Sequence, residues 1–168
     1  MSTRTTALQA THAPLTQAWT PGAIGGVIGG MAMAMFSMLV AISEDGFWAP
    51  VRGITSVVFG DEHYGGGFEF WPVVVGAMGH MMNAAVLGAV FALVVVVLLS
   101  RAGSMAVWMA GAVYGLGVWA VMVLGVAPAL QDSELFADAV PQWAWVVSHL
   151  MFGLVTAMVV TGLRRGRA

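Results

Sequence analysis

The sequence predicts an all-α polytopic membrane protein, a four-transmembrane-helix bundle built from two hairpin repeats. Three observations carry that expectation: four long apolar runs free of formal charge, arginines gathered on one side of those runs, and a motif shared by the second and fourth. Apolar residues make up 60% of the 168 positions and charged residues 8%, against about 45–50% and about 25% in soluble domains. A soluble fold of this size could not cover its surface with so few polar side chains. Lys is absent, and 6 Arg against 8 acids leave a net charge of −2, so no basic field exists for nucleic acid. The absence of Cys removes disulfides, thiol nucleophiles, thiolate zinc sites and iron–sulfur clusters.

The runs cover residues 22–42, 71–99, 105–127 and 140–163. Each exceeds the roughly 20 residues that cross a hydrocarbon core. None alternates with period two, so helices fit and barrel strands do not. Residues 1–21 are Thr- and Ala-rich with one Arg and lack the basic start of a cleaved signal peptide, so a poorly ordered cytoplasmic tail is expected there. Arg4, Arg101, Arg164, Arg165 and Arg167 flank one side and only Arg52 the other, which by the positive-inside rule places both termini, including the tail 164–168, in the cytoplasm. The acids Glu44, Asp45, Asp61, Glu62, Glu69, Asp132, Glu134 and Asp138 all fall in the two outer loops. Trp48, Trp71, Trp143 and Trp145 lie near the outer boundary, and Trp19 and Trp108 near the inner one, as interfacial belts do.

The outer loop 43–70 has a pattern of its own. After Pro50, Val51, Ile54, Val57 and Val58 recur at helical spacing, which suggests a short interfacial helix ended near Gly60, with a loop dipping toward the headgroups as the alternative.

Aligning the second run with the fourth sets Pro72 over Pro141, His80 over His149 and Met82 over Met151 at one offset. The first and third align at another, with Gly25 over Gly103, Met31 over Met109 and Phe36 over Tyr114. Two hairpins of one orientation would then be related by an axis along the membrane normal. Small residues mark the contact faces: Gly25 and Gly29, Gly26 and Gly30, Gly111 and Gly115, and the stripe Gly76, His80, Ala84, Gly88. Some of these could instead form a homodimer face.

Each His lies eight residues past its aligned Pro, about 12 Å into the membrane at 1.5 Å per residue, so the two imidazoles share one depth. Diagonal placement of parallel helices would let them face each other. Four chemistries are open to such a pair. The rings could hydrogen-bond each other or Asn83, Gln142, Ser37 and Tyr114 and simply fix helix register. They could be the two axial ligands of a b-type haem, with Asn83, Gln142 and Tyr114 around them and only Arg52 available to a propionate. They could bind copper, a metal site of His80 and His149 with Met82 and Met151; Met31 with Met35 and Met78 with Met82 are also one turn apart. They could gate a narrow channel.

Ion-coupled transport is disfavoured, because no Asp, Glu, Lys or Arg lies inside a run. No GxSxG or HExxH motif and no close carboxylate pair within a run points to hydrolysis, the outer acids read as a solvated face, and no catalytic residues are expected. The segments GFWAPVRGI, GHMMNAAVLGAVFAL and SHLMFGLVTAMVV, after a Gly-rich first helix, resemble those of a group of uncharacterised bacterial four-helix inner-membrane proteins, the YagU-like family. The resemblance spans about residues 22–163 and implies a bacterial inner membrane and four helices. The function expected is therefore that of a non-enzymatic membrane protein, a homo-oligomer or an accessory subunit of a larger membrane complex, with the lipid bilayer as its other partner.

Overall fold

The computed structural model describes residues 3–130 and 138–165, so Asp132, Glu134 and Arg167 lie outside the described residues. The chain forms α1 (Thr3–Ala41), α2 (Ala49–Phe59), a 3-10 turn (Asp61–His63), α3 (Phe70–Leu98), α4 (Ser104–Val121), a π-helical turn (Met122–Val126), α5 (Ala127–Leu130) and α6 (Gln142–Arg165). Four stretches are long and apolar enough to cross a membrane: Ala18–Ala41, Phe70–Val95, Ser104–Leu130 and Gln142–Arg165. They form an all-α four-helix bundle. α1 begins at Thr3, not near Gly22, and so takes in the Ala- and Thr-rich segment with Pro14 and Pro21.

α1 is the helix that two others lean on. Its packing is most extensive with α3 and α6, and α6 in turn packs along α4. Two glycine faces make this possible. A Cβ at Gly26 would stand 2.0 Å from the Ala84 carbonyl oxygen of α3, and one at Gly29 would stand 2.7 Å from the Phe152 carbonyl oxygen of α6. At such approach the backbones themselves are in contact, and dispersion between them replaces the hydrophobic drive that lipid does not supply. Thr156 adds a hydrogen bond, its Oγ1 donating to the Gly25 carbonyl at 3.3 Å. The glycine faces are thus used inside one chain, and the homodimer face expected of them is not needed to explain them.

α4 meets α6 in the same manner. Gly111 and Gly115 lie against Gly153 and the His149 carbonyl, much as Gly26 and Gly30 lie against Ala84 and His80. The hairpins therefore repeat, but with Gly26 equivalent to Gly111 and Gly30 to Gly115. This differs by two helical turns from the alignment of Gly25 with Gly103, a residue that caps the start of α4 in open space.

α2 forms where the sequence expects a helix and ends at Gly60, whose φ of 112° takes the chain out of helical geometry. Its first two turns pack into the protein, while Val58 and Phe59 at its end are exposed. Ala49 to Gly53, Thr55 and Ser56 are buried, because Gly76 lets the backbone of α2 settle onto α3. Thr55 Oγ1 locks that contact by donating to the Pro72 carbonyl at 2.7 Å.

The third span is not a uniform helix. A π-helical turn, Met122–Val126, precedes α5, in which Pro128 lacks an N–H to give to a carbonyl of that turn.

Gly153→Ala should lower stability in detergent by about 1–3 kcal/mol, the range for forcing atoms into a filled contact. Gly117→Ala, with nothing within 4 Å of the new methyl, should leave the unfolding midpoint unchanged. Thermal unfolding of the two variants side by side checks this.

Candidate functional site

Because α1 and α6 hold the bundle together, α3 and α4 touch at few points. The seam between them contains a cavity of about 300 Å³. α2 covers it through Pro50, Val51, Ile54, Val57 and Val58; the floor carries Leu87 and Phe152; and the π-helical turn contributes Met122, Val123 and Val126. Val58, Asn83, Val126 and Leu130 are lining residues that are also exposed, so the mouth lies between α2 and α3 on one side and α4 and α5 on the other. The cavity occupies the half of the bundle nearer α2.

Both histidines line it. Each is held by a backbone carbonyl and not by the other ring. His80 Nε2 lies 3.0 Å from the Gly30 carbonyl oxygen of α1. His149 Nδ1 lies 2.8 Å from the Trp145 carbonyl oxygen one turn earlier in α6. A carbonyl only accepts, so each of these nitrogens donates its proton. In the neutral rings the lone pairs are then left on His80 Nδ1 and His149 Nε2, and neither has a hydrogen-bond partner among the described residues. A ring fixed through one nitrogen with the other free is the usual posture of an imidazole awaiting a ligand.

Two further polar groups face the same space. Ser37 is 1% exposed, and its Oγ has no hydrogen-bond partner. Asn83 sits exposed at the mouth, its amide likewise without a partner among the described residues.

The other expected site residues lie elsewhere. Tyr114 donates to the Leu87 carbonyl at 2.8 Å and Gln142 is exposed at the first turn of α6, so neither surrounds the imidazoles. Met82 is 70% exposed on the outside of α3, and Met151 does not line the cavity. The thioethers that do are Met33 and Met122, neither of which belongs to the pairs one turn apart. Among the described residues no three His, Asp or Glu gather to hold a metal ion.

Arg52, the cation on the α2 side, is 4% exposed. It donates to the carbonyls of His63, Gly67 and Tyr64 at 2.9, 3.1 and 3.2 Å and pairs with Glu69 at 2.8 Å. One guanidinium thus gathers the chain between α2 and α3 onto α2. Tyr64 adds a hydrogen bond to Asp45, and burial first, then that carboxylate, hold its phenol above the ordinary range. Four of the five Arg52 N–H groups are thus spent within the protein, and Arg52 does not line the cavity.

Comparison with protein-family models, with curated proteins and with solved structures finds no match for this chain.

Arg52→Gln should free the loop 60–69, seen as faster cleavage there by a soluble protease, with a loss of about 1–3 kcal/mol from the stranded carbonyls and carboxylate. Glu69→Gln should cost less than about 1 kcal/mol, since its partner keeps three carbonyls and the carboxylate faces solvent.

Proposed function

We propose that this chain is a non-enzymatic multi-pass protein of a bacterial inner membrane, with both termini cytoplasmic, that holds a lipid-soluble small molecule in the cavity between α3 and α4. It works as an oligomer or as an accessory subunit of a larger membrane complex. One observation carries the binding role. An apolar chamber with a lateral mouth converges on four polar side chains, Ser37, His80, Asn83 and His149, that spend little or none of their hydrogen-bonding capacity on the protein. Polar groups inside a membrane are costly when unpaired, and small-molecule sites are apolar cavities with a few convergent polar groups. The π-helical turn in the cavity wall supports the same reading, because such turns recur at functional sites.

Haem ligation by His80 and His149 remains a second reading, favoured by their common chamber. It asks for more room than about 300 Å³ offers and for a cation at the cavity, which Arg52 does not line.

Gly79 lines the cavity, and the nearest atom to a Cβ placed there is Ile54 Cγ2 at 3.8 Å, so Gly79→Leu fills the chamber without a backbone clash. Native mass spectrometry of protein ejected from its own membranes should show one bound small molecule on the wild type and none on Gly79→Leu. An unliganded wild type, or a ligand retained by the filled variant, contradicts the binding role. A low-spin haem spectrum abolished by His80→Ala or by His149→Ala would put the haem reading in its place.

A further inference from the structure

We infer that the ligand is a lipid-soluble molecule with a hydroxylated aromatic ring, a hydroquinone or phenol carrying an apolar tail, bound by its hydroxyl groups. The inference rests on the binding role proposed above and specifies its chemistry. The two carbonyl contacts decide the polarity of the site. Gly30 and Trp145 take the ring protons, so in the neutral rings the free positions, Nδ1 of His80 and Nε2 of His149, are acceptors. A ligand that satisfies them has to donate. A quinone or ketone presents acceptors only and would leave both lone pairs unmatched, whereas a hydroquinone presents two donors.

Ser37 completes the pattern. Its hydroxyl is buried without a partner and can accept from the ligand or donate to a ligand oxygen. Asn83 at the mouth offers an amide to whatever enters.

Size and wall chemistry decide the rest. About 300 Å³ lies at the low end of small-molecule sites, enough for a single ring and too little for a macrocycle. Phe152 and Trp145 offer aromatic surface, and Met33 and Met122 offer polarisable thioethers that pack well against ring edges. Of the four exposed residues at the mouth, Val58, Val126 and Leu130 are apolar and suit a tail leaving sideways into lipid, with Asn83 the polar one. Among the described residues no carboxylate lines the chamber.

The test uses the full chain in lipid nanodiscs, with thermal unfolding as the readout of binding. Four probes share one decyl chain: decylhydroquinone kept reduced under anaerobic conditions, its dimethyl ether, the corresponding quinone, and decylbenzene. Decylhydroquinone should raise the unfolding midpoint saturably, and the other three should need at least tenfold higher concentration for the same shift. Ser37→Ala should keep the unliganded midpoint, because its hydroxyl has no partner to lose, yet weaken decylhydroquinone binding severalfold. His149→Phe should weaken it at least tenfold. If decylbenzene or the ether binds as well as the hydroquinone, and Gly79→Leu abolishes both, the chamber is a site for plain hydrocarbon and the hydroxyl assignment is wrong. Hydroquinone binding unchanged in both Ser37→Ala and His149→Phe overturns it equally. Saturable binding by none of the four probes overturns the assignment here, while the native-mass result on the wild type decides separately whether any ligand is held.

Discussion

The backbone-to-backbone approach of α1 to two neighbours at once is the constraint on which the rest of this structure depends. Gly22, Gly26 and Gly30 face α3, and Gly25 and Gly29 face α6. A helix that spends both of these faces on close contacts draws α3 and α6 to itself. Because α4 follows α6 through Gly111, Gly115 and Gly153, nothing of comparable closeness is left to join α4 to α3. The open seam is therefore a consequence of where the glycines are, and the cavity with its two imidazoles is a consequence of the seam. In lipid this matters more than in water, since apolar side chains gain little by leaving hydrocarbon for a protein interior.

A seam alone would fill with lipid chains or close by side-chain repacking. α2 limits both outcomes. Its seat on Gly76 and the Thr55 bond to Pro72 fix it over the chamber, and buried Arg52 ties the following loop down through three carbonyls and Glu69. A buried guanidinium is tolerated only where its donors are satisfied, and here the satisfied donors are what shape the cover. The polar interior follows the opposite rule. Ser37 Oγ is left unmatched, and each His is half satisfied, a combination that packing alone would have no reason to keep.

The number of spans and the presence of α2 with its end at Gly60 were legible in the sequence because each has a one-dimensional signal: run length, and helical spacing before a glycine. The repeated Pro-to-His interval marks His80 and His149 as a pair. What was not legible concerns direction around the helix axis. A membrane helix is apolar on every side, so nothing in its pattern distinguishes a lipid-facing Met82, 70% exposed, from a buried Met33, 9% exposed. The same degeneracy hid the register of α1 against α4, where glycines every three or four residues permit several alignments two turns apart. The burial of α2 depended on Gly76 in a distant helix, and neither that contact nor the π-helical turn has a local spacing to read.

The central claim is that lipid-soluble molecules enter the bundle between α3 and α4 and reach side chains that the outer surface hides. A small alkyl diazirine dissolved in the bilayer and photolysed gives a carbene that inserts wherever it resides, whatever the local nucleophilicity. Peptide mapping should then find adducts on His149 and Phe152, which are 3% and 2% exposed yet line the chamber, alongside those on outward residues such as Met82 and Met109. The adducts on α6 should disappear in Gly79→Leu while the outward ones persist. Labelling confined to the outward residues in the wild type would mean that no chamber opens to the membrane, and would contradict the account.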